Sequence, residues 1–380
     1  MTVRSRRSLI LPNAIRRSMA YPRGAGRHVI NGYPAAAGIP PGGDTSLVFD
    51  ALTYDPNTYE MLGVKTGIGG LTFARGSERY VADHNGVYQL IPAGAPAWSG
   101  ARYSGGVAYA DDGAGTLLSP LPWLSGDPAA TNVLLNSNVA GSQGVTLAVG
   151  AWSVVVHVNA GDNASAIVTS GTATATGYGT ATPGSPIELD VTVEGTVNVE
   201  ITGAPFAVNL LNLPQAQAKG IAPIPTEGTE VSVQGDGPSF DVANHSNTRG
   251  AYYLEWKPSY AGTGVSLGLI NTRNAAEGIL YDGTGDRINT FDGTNYGWSE
   301  TPWPSNQTNK VALVYDADEG SMQVNLNGEW GSVKTYDGDY ILGAVMTLFF
   351  GQLHSNEMRN LQRYDLPYAE AQAKIDELMN

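Results

Sequence analysis

Short runs of alternating apolar and polar side chains, separated by glycine-rich turns, limit this chain more than any other feature. Trp152, Val154, Val156 and Val158 alternate with Ser153, Val155, His157 and Asn159. Ile187, Leu189, Val191 and Val193 alternate with Glu188, Asp190 and Thr192. Beyond Glu194-Gly195-Thr196 the apolar series resumes at Val197, Val199 and Ile201. A helix would scatter these side chains around its axis, whereas a strand sends every second one to the same face. A three-residue loop would set Val193 opposite Val197, so this pair predicts a hairpin. The Thr/Ala run from Thr172 to Thr176 is strand-like too. The 48 glycines and 22 prolines far exceed their usual combined share of about 12% and follow no Gly-X-Y period, so turns are frequent. An apolar share of 42% excludes wholesale disorder. The expected class is all-β and multidomain, with residues 128–214 forming a sandwich of about eight strands.

Around that sandwich the chain divides by pattern. Residues 1–45 lack a sustained period, and Pro12, Pro22, Pro34, Pro40 and Pro41 forbid a long helix, so they read as an extended arm. Residues 46–127 hold strand-like pieces at Ser46–Phe49, Leu71–Ala74, Arg79–Ala82 and Val87–Ile91. Asp83-His84-Asn85-Gly86 is a strong turn signal between the last two. This segment reads as a small β unit with little core of its own. A polar connection from 215 to about 240, with Ala222-Pro223-Ile224-Pro225-Thr226, opens the last domain, 215–380. Tyr252-Leu254-Trp256 and Val311-Leu313-Tyr315 are alternating triplets there, and Asn327-Gly328 is the best two-residue hairpin turn. With that turn Trp330 is expected opposite Leu326, on the face away from the strand's apolar side, where a neighbouring subunit would cover it. Tyr368, Ala371, Ile375 and Leu378 form the one helical stripe, with Asp365 and Pro367 as start signals, predicting a helix near 367–379.

Charge is distributed unevenly. The first acidic residue is Asp44, and Arg4, Arg6, Arg7, Arg16, Arg17, Arg23 and Arg27 all precede it. The other 14 basic residues and all 35 acidic ones follow, so a cationic arm leads an anionic body of charge −21. Such an arm suits docking onto an acidic surface. Nucleic acid is disfavoured as its partner, because the body would repel phosphate and the arm offers few aromatics for base stacking. The absence of cysteine excludes disulfides, zinc fingers and a cysteine nucleophile, and suits assembly in a reducing cytoplasm. The longest apolar stretch, Ile341–Phe350, is too short to span a membrane, so no membrane insertion is expected. Leu9-Ile10-Leu11 is cut off by Pro12 and Asn13, so the start does not read as a signal peptide.

Several segments, taken in order, resemble tailed-bacteriophage virion surface proteins. Gly70–Gly86 resembles a tail and fibre segment of the form Leu-x-Phe-x-Arg-x-Ser, Tyr-Val-Asp and an Asn-Gly turn. Ala95-Pro96-Ala97-Trp98 stands where an arginine-containing element is usual. Ala130-Thr-Asn-Val-Leu-Leu-Asn136 matches the end of a leucine-rich box, and Gln215–Thr226 looks like the family's exit from its middle sandwich. Ala251–Trp256, Lys310–Tyr315, Val324–Gly328 and the closing Leu366–Ala373 resemble a concanavalin A-like or laminin-G-like domain with its terminal helix. The resemblance implies a C-terminal concanavalin A-like jelly-roll sandwich. It also implies a place on the virion surface, as tail fibre, spike or head decoration, assembled in the host cytoplasm. Other virion proteins, capsid or tail, would be the arm's partners, the chain would form a homo-oligomer, and host glycans would be bound by the last domain.

Candidate chemistry is sparse. Concanavalin-fold glycosidases place carboxylates on one strand as Glu-x-Asp-x-x-Glu; here Glu255 stands alone, and Asp316-Ala-Asp318-Glu319 lies in a turn where acids cap backbone groups. No enzyme activity is expected, and no cofactor, calcium aside. Asp282 and Asp286 could offer calcium two carboxylates, though the pair lacks the ligand density of a dedicated loop. Histidines 28, 84, 157, 245 and 354 show no metal spacing. The densest mixture of rings, amides and carboxylates runs from Tyr281 to Trp303, and its glycan-binding candidates are Tyr281, Asp282, Asn295, Tyr296, Trp298 and Trp303. Core or subunit-interface packing is the competing reading of those rings. The functional alternatives are a free carbohydrate-binding lectin and a polysaccharide-degrading enzyme; seven arginines before the first acid favour the particle over the first, and substrate turnover would mark the second. A chain lacking residues 1–45 should remain folded and soluble yet fail to join its particle, as particle incorporation assays would show; normal incorporation would remove the arm from the anchoring role.

Overall fold

The alternation of residues 141–211 resolves into two facing antiparallel sheets of four strands each. One runs Gly141–Leu147, Gly195–Gly203, Ala164–Ser170, Gly179–Ala181; the other runs Thr174–Thr176, Ile187–Val193, Gly150–His157, Ala207–Leu211. In the computed structural model, residues 46–66, 72–73, 75–235, 238–241, 248–259, 267–271, 278–283, 287–292, 294–304, 307–337, 345–350 and 355–380 are described. The arm, with all seven of its arginines, lies outside them. Val154, Val156, Leu189, Val191, Val197, Val199, Ile201 and Leu210 close the core between the two sheets. Each such side chain contributes about 1.5–3 kcal/mol on full burial.

The hairpin expected across Glu194 is not formed. Val193 pairs with Thr174, whereas Val197 pairs with Val145 and Ser170 in the other sheet. Alternation continues through the corner because both strands look into one core from opposite sides, and a period of two does not distinguish a hairpin from a sheet-to-sheet crossing. Gly195 makes the corner possible: a Cβ there would lie 2.5 Å from the Ala173 nitrogen.

The second body is built on a ten-stranded sheet. Its main path runs Met61–Thr66, Leu47–Tyr54, Asn356–Tyr364, Arg249–Pro258, Asn309–Asp316, Ser321–Leu326, Glu329–Trp330. A seven-stranded sheet accompanies it, ordered Tyr296–Trp298, Arg287–Phe291, Gly278–Gly283, Leu267–Asn271, Val345–Phe350, Pro238–Asp241, Thr72–Phe73. Tyr252, Leu254, Trp256, Val311, Leu313 and Tyr315 face a core that Ile288 of the seven-stranded sheet shares. Ala251, Tyr253, Ala312 and Val314 point the other way, against Ala371 and Ile375 of the helix Tyr368–Met379. Strands make up 52% of the molecule and helices 6%, so the all-β class holds.

Expected boundaries and packing differ in four places. Part of residues 46–127 shares the second body's sheet and core: Leu47–Tyr54 pairs with Asn356–Tyr364, and Phe49, Leu52, Trp98 and Leu124 lie in one cluster with Trp256. Its first strand covers an edge that Asn356–Tyr364 would otherwise leave open. The polar connection is partly interior, since Ile221, Ile224 and Thr226 are buried and Asn132 and Asn209 bond its backbone. Asp365 does not start the helix; it pairs with Arg249 at 3.1 Å, and the Tyr368 amide donates to Asp316 instead, also at 3.1 Å. Trp330 falls opposite Asn325, because the Asn327-Gly328 turn pairs Leu326 with Glu329. Its indole donates to Asp376 at 2.9 Å, so this chain's own helix packs against it.

The hairpin of Arg79–Ala82 and Tyr88–Ile91 docks on one end of the middle sandwich, where Phe206 meets Tyr80 and Tyr88 at 4.9 and 4.6 Å between ring centroids. His157 sits in this junction. Asn209 donates from Nδ2 to the Ala222 carbonyl and accepts at Oδ1 from the Ile224 amide, so its orientation is set by the backbone. The same Nδ2 faces His157 Nε2 at 3.1 Å, which must therefore be an acceptor, leaving Nδ1 to face the Tyr88 hydroxyl at 3.2 Å. Burial pushes the His157 pKa down to about 4 from an ordinary 6.5. Between those values the unfolded chain binds the proton and the folded one resists it, so this contribution to stability falls as pH drops below 6.5 and levels off below about 4. Urea unfolding across that window should show His157→Gln less pH-sensitive than the parent chain; identical slopes would place the histidine outside the acid response.

Candidate functional site

The strand Arg287–Phe291 presents two different faces. Ile288 and Thr290 are buried toward the core, while Arg287, Asn289 and Phe291 are half-exposed on the other side. The edge strand Tyr296–Trp298 pairs Phe291 with Tyr296 and Asn289 with Trp298, and paired residues share a face. Between them Gly297 faces inward, where a Cβ would lie 2.8 Å from Thr290 Cγ2. Asn289, Phe291, Tyr296 and Trp298 thus form one outward ladder.

Tyr296 is 53% exposed and lies nearly parallel to Phe291, with centroids 4.2 Å apart and planes 20° from each other. The ring is accessible yet held by a hydrophobic support. Trp298 is half-buried, with the Lys334 ammonium 4.1 Å from its ring centroid, a cation–π placement. Beyond Trp298, Glu300 accepts from both the amide and the hydroxyl of Ser332. The Ser332 hydroxyl and amide hold this carboxyl below its ordinary range, with Lys334 and Arg287 adding to the effect. At the other end Asp292 shapes the turn by accepting from the Thr294 and Asn295 amides, at 2.8 and 2.5 Å.

The structure separates the sequence candidates. Tyr296 and Trp298 stand together on the ladder. Asn295 is at its margin, donating to Asp292 and Asp337. Trp303 is only 2% exposed and meets Trp256 edge-on at 4.8 Å inside the core, so it is not a binding platform. Its isolation beyond Pro302 hid this, because no alternating run showed which way it points. Tyr281 pairs with Asn289 in the neighbouring strand and Asp282 with Ile288; their side chains, and all of Asp286, lie outside the described residues, and with them the calcium expectation. Among the described residues no group of three histidines or acids gathers as a metal site would need. Phe291 and the cations Arg287 and Lys334 were missed as site residues, although the Arg287-Asn289-Phe291 alternation carried the signal for two of them.

Two further features concern chemistry. Glu255 accepts from Arg359 Nε at 2.6 Å, Asn360 Nδ2 at 2.8 Å and the Tyr253 hydroxyl at 3.3 Å, so this carboxylate is committed to holding adjacent strands. A cavity of about 470 Å³ opens between the docked hairpin and the connection, beside Arg75, Arg79, Tyr80, Asp127 and Ile224. Three of its charges serve the chain: Arg79 bonds Asp127 at 2.8 Å, and Arg75 donates to the carbonyls of Ser77, Pro92 and Ala95.

No family model and no curated protein matches this chain. Among solved structures, the binding domain of botulinum neurotoxin DC, in complex with rat synaptotagmin II, is similar at 10% identity and a TM-score of 0.29 over 39% of this chain and 40% of that one. The binding domain of botulinum neurotoxin serotype D is similar at 13% and 0.29 over 38% and 41%. A Bacteroides ovatus protein named "putative carbohydrate binding protein" is similar at 11% and 0.28 over 64% and 84%. The chain spans about two fifths of the neurotoxin structures. Likeness this distant carries no argument about this chain.

Burial separates the two tryptophans quantitatively. Trp303→Ala should cost about 3–5 kcal/mol in urea unfolding, as large core truncations do. Trp298→Ala should cost no more than about 1 kcal/mol, as expected of a partly exposed position. Equal costs would mean that the ladder is part of the core.

Proposed function

We propose that this chain is a surface protein of a tailed-bacteriophage particle that binds host glycans on the outward ladder of Asn289, Phe291, Tyr296 and Trp298. The observation that carries the glycan reading is the Tyr296 ring, exposed on one side and supported on the other by Phe291. Sugar rings present C–H faces that stack on such platforms, while their hydroxyls need amide and carboxylate partners of the kind Asn289 and Asp337 provide. Support for the particle comes from the sequence: the phage-like order of segments, and seven arginines ahead of an anionic body. The arm docks on another virion protein, capsid or tail, and the two sandwiches project outward.

The proposed activity is binding without turnover. Stacking on one aromatic ring contributes on the order of 1 kcal/mol, so a single site binds weakly, about millimolar. A homo-oligomer with many copies on one particle converts that into useful avidity through effective concentration. No cofactor is needed for stacking.

In a glycan array or a cell-attachment assay on the full chain, Tyr296→Ala should reduce binding severalfold while leaving the urea midpoint unchanged. The full chain is required because residues 46–127 supply part of the core under the ladder. Silence across the array, with the parent chain folded, would remove the glycan reading and leave a structural role.

A further inference from the structure

Most basic side chains in the described body are already engaged. Arg79, Arg102, Arg249, Lys257, Arg359 and Lys374 pair with carboxylates. Lys310 donates to the last helical carbonyls and Arg75 to loop carbonyls, while Arg363 lies buried against Tyr315. Lys219, Arg287 and Lys334 form no ion pair among the described residues; Lys219 follows the short helix Gln215–Ala218 beside the middle sandwich, whereas Arg287 and Lys334 both flank the charged end of the outward ladder. In a chain of net charge −14, two such cations beside an aromatic platform are a local reversal of sign.

We infer that the ladder selects an anionic saccharide, with a neutral ring on Tyr296 and an acidic sugar toward Arg287 and Lys334. The inference rests on the glycan reading above and adds the ligand's charge and direction. Strand geometry sets the direction. Tyr296 and Trp298 follow one another along the edge, about 7 Å apart, and Glu300 lies two residues beyond the strand's end. Phe291, Asn289 and Arg287 run beside them in the opposite sense. The Tyr296 end is bordered by the acids Asp292 and Asp337, through Asn295, and so repels an anion. At the other end Lys334 is held over Trp298, and Glu300 directs one oxygen to Ser332. Among the described residues, two cations against that one carboxylate leave a net positive end. Arg287 offers a planar fork suited to a carboxylate or sulfate, and Lys334 a point charge.

The test is isothermal titration of the full chain with matched oligosaccharides: one neutral, one carrying hexuronic acid, one sulfated. Exposed charge pairs are individually weak, so the expected preference for the acidic ligands is about fivefold at low salt. It should fade toward 1 M salt, where the screening length falls to about 3 Å. Arg287→Gln with Lys334→Gln should bring acidic and neutral ligands to equal affinity. The carboxylate and sulfate arms identify which acid is favoured, and a preference for either supports the inference. Neutral and acidic ligands bound equally, or a preference unchanged in the double variant, would overturn it while leaving the glycan reading intact. A folded chain that binds none of the three would overturn both.

Discussion

The strand Arg249–Pro258 is buried on both faces, and much of the molecule answers to that one demand. Tyr252, Leu254 and Trp256 need a cover on one side, Ala251 and Tyr253 on the other. The seven-stranded sheet supplies the first through Ile288, and the C-terminal helix supplies the second through Ala371 and Ile375. Lateral edges matter equally, since open strand edges invite association with other chains. Leu47–Tyr54 pairs beside Asn356–Tyr364, so the start of the described chain and its end meet in one sheet.

That double burial positions the ladder. With Ile288 and Thr290 drawn into the core, the period of two leaves Arg287, Asn289 and Phe291 no choice but the outside. The edge strand is then pressed into register from the far side: a Cβ at Gly331 would lie 2.2 Å from the Trp298 carbonyl oxygen, and Ser332 holds Glu300. A rigid exposed ring loses little freedom on meeting a ligand, which is where pre-organised sites gain affinity.

Local structure is legible in the sequence, and long-range pairing is not. The Asp83–Gly86 and Asn327-Gly328 turns form where their chemistry places them: Asp83 accepts from the Asn85 and Val87 amides, and Asn327 and Gly328 take positive φ of 54° and 89°. The closing helix follows its apolar stripe. What alternation could not convey is which sheet a strand joins, so the Glu194 corner was mistaken for a hairpin and residues 46–127 for a separate unit. The same limit blurred the site. Ring density alone pointed to Tyr281–Trp303, but Trp303 turns inward and Tyr296 outward, and only pairing register separates them. Lys334 reaches the ladder from a distant strand, a proximity no local pattern encodes.

The proposal places glycan binding on the outward ladder. Indole N–H resonances give the most direct view, because the seven tryptophans sample the core, the sandwich and the ladder separately. On titration with a bound oligosaccharide, the Trp298 signal should shift progressively while those of Trp256 and Trp303 stay fixed. Shifts centred on the middle sandwich's Trp152, with Trp298 unmoved, would contradict the account.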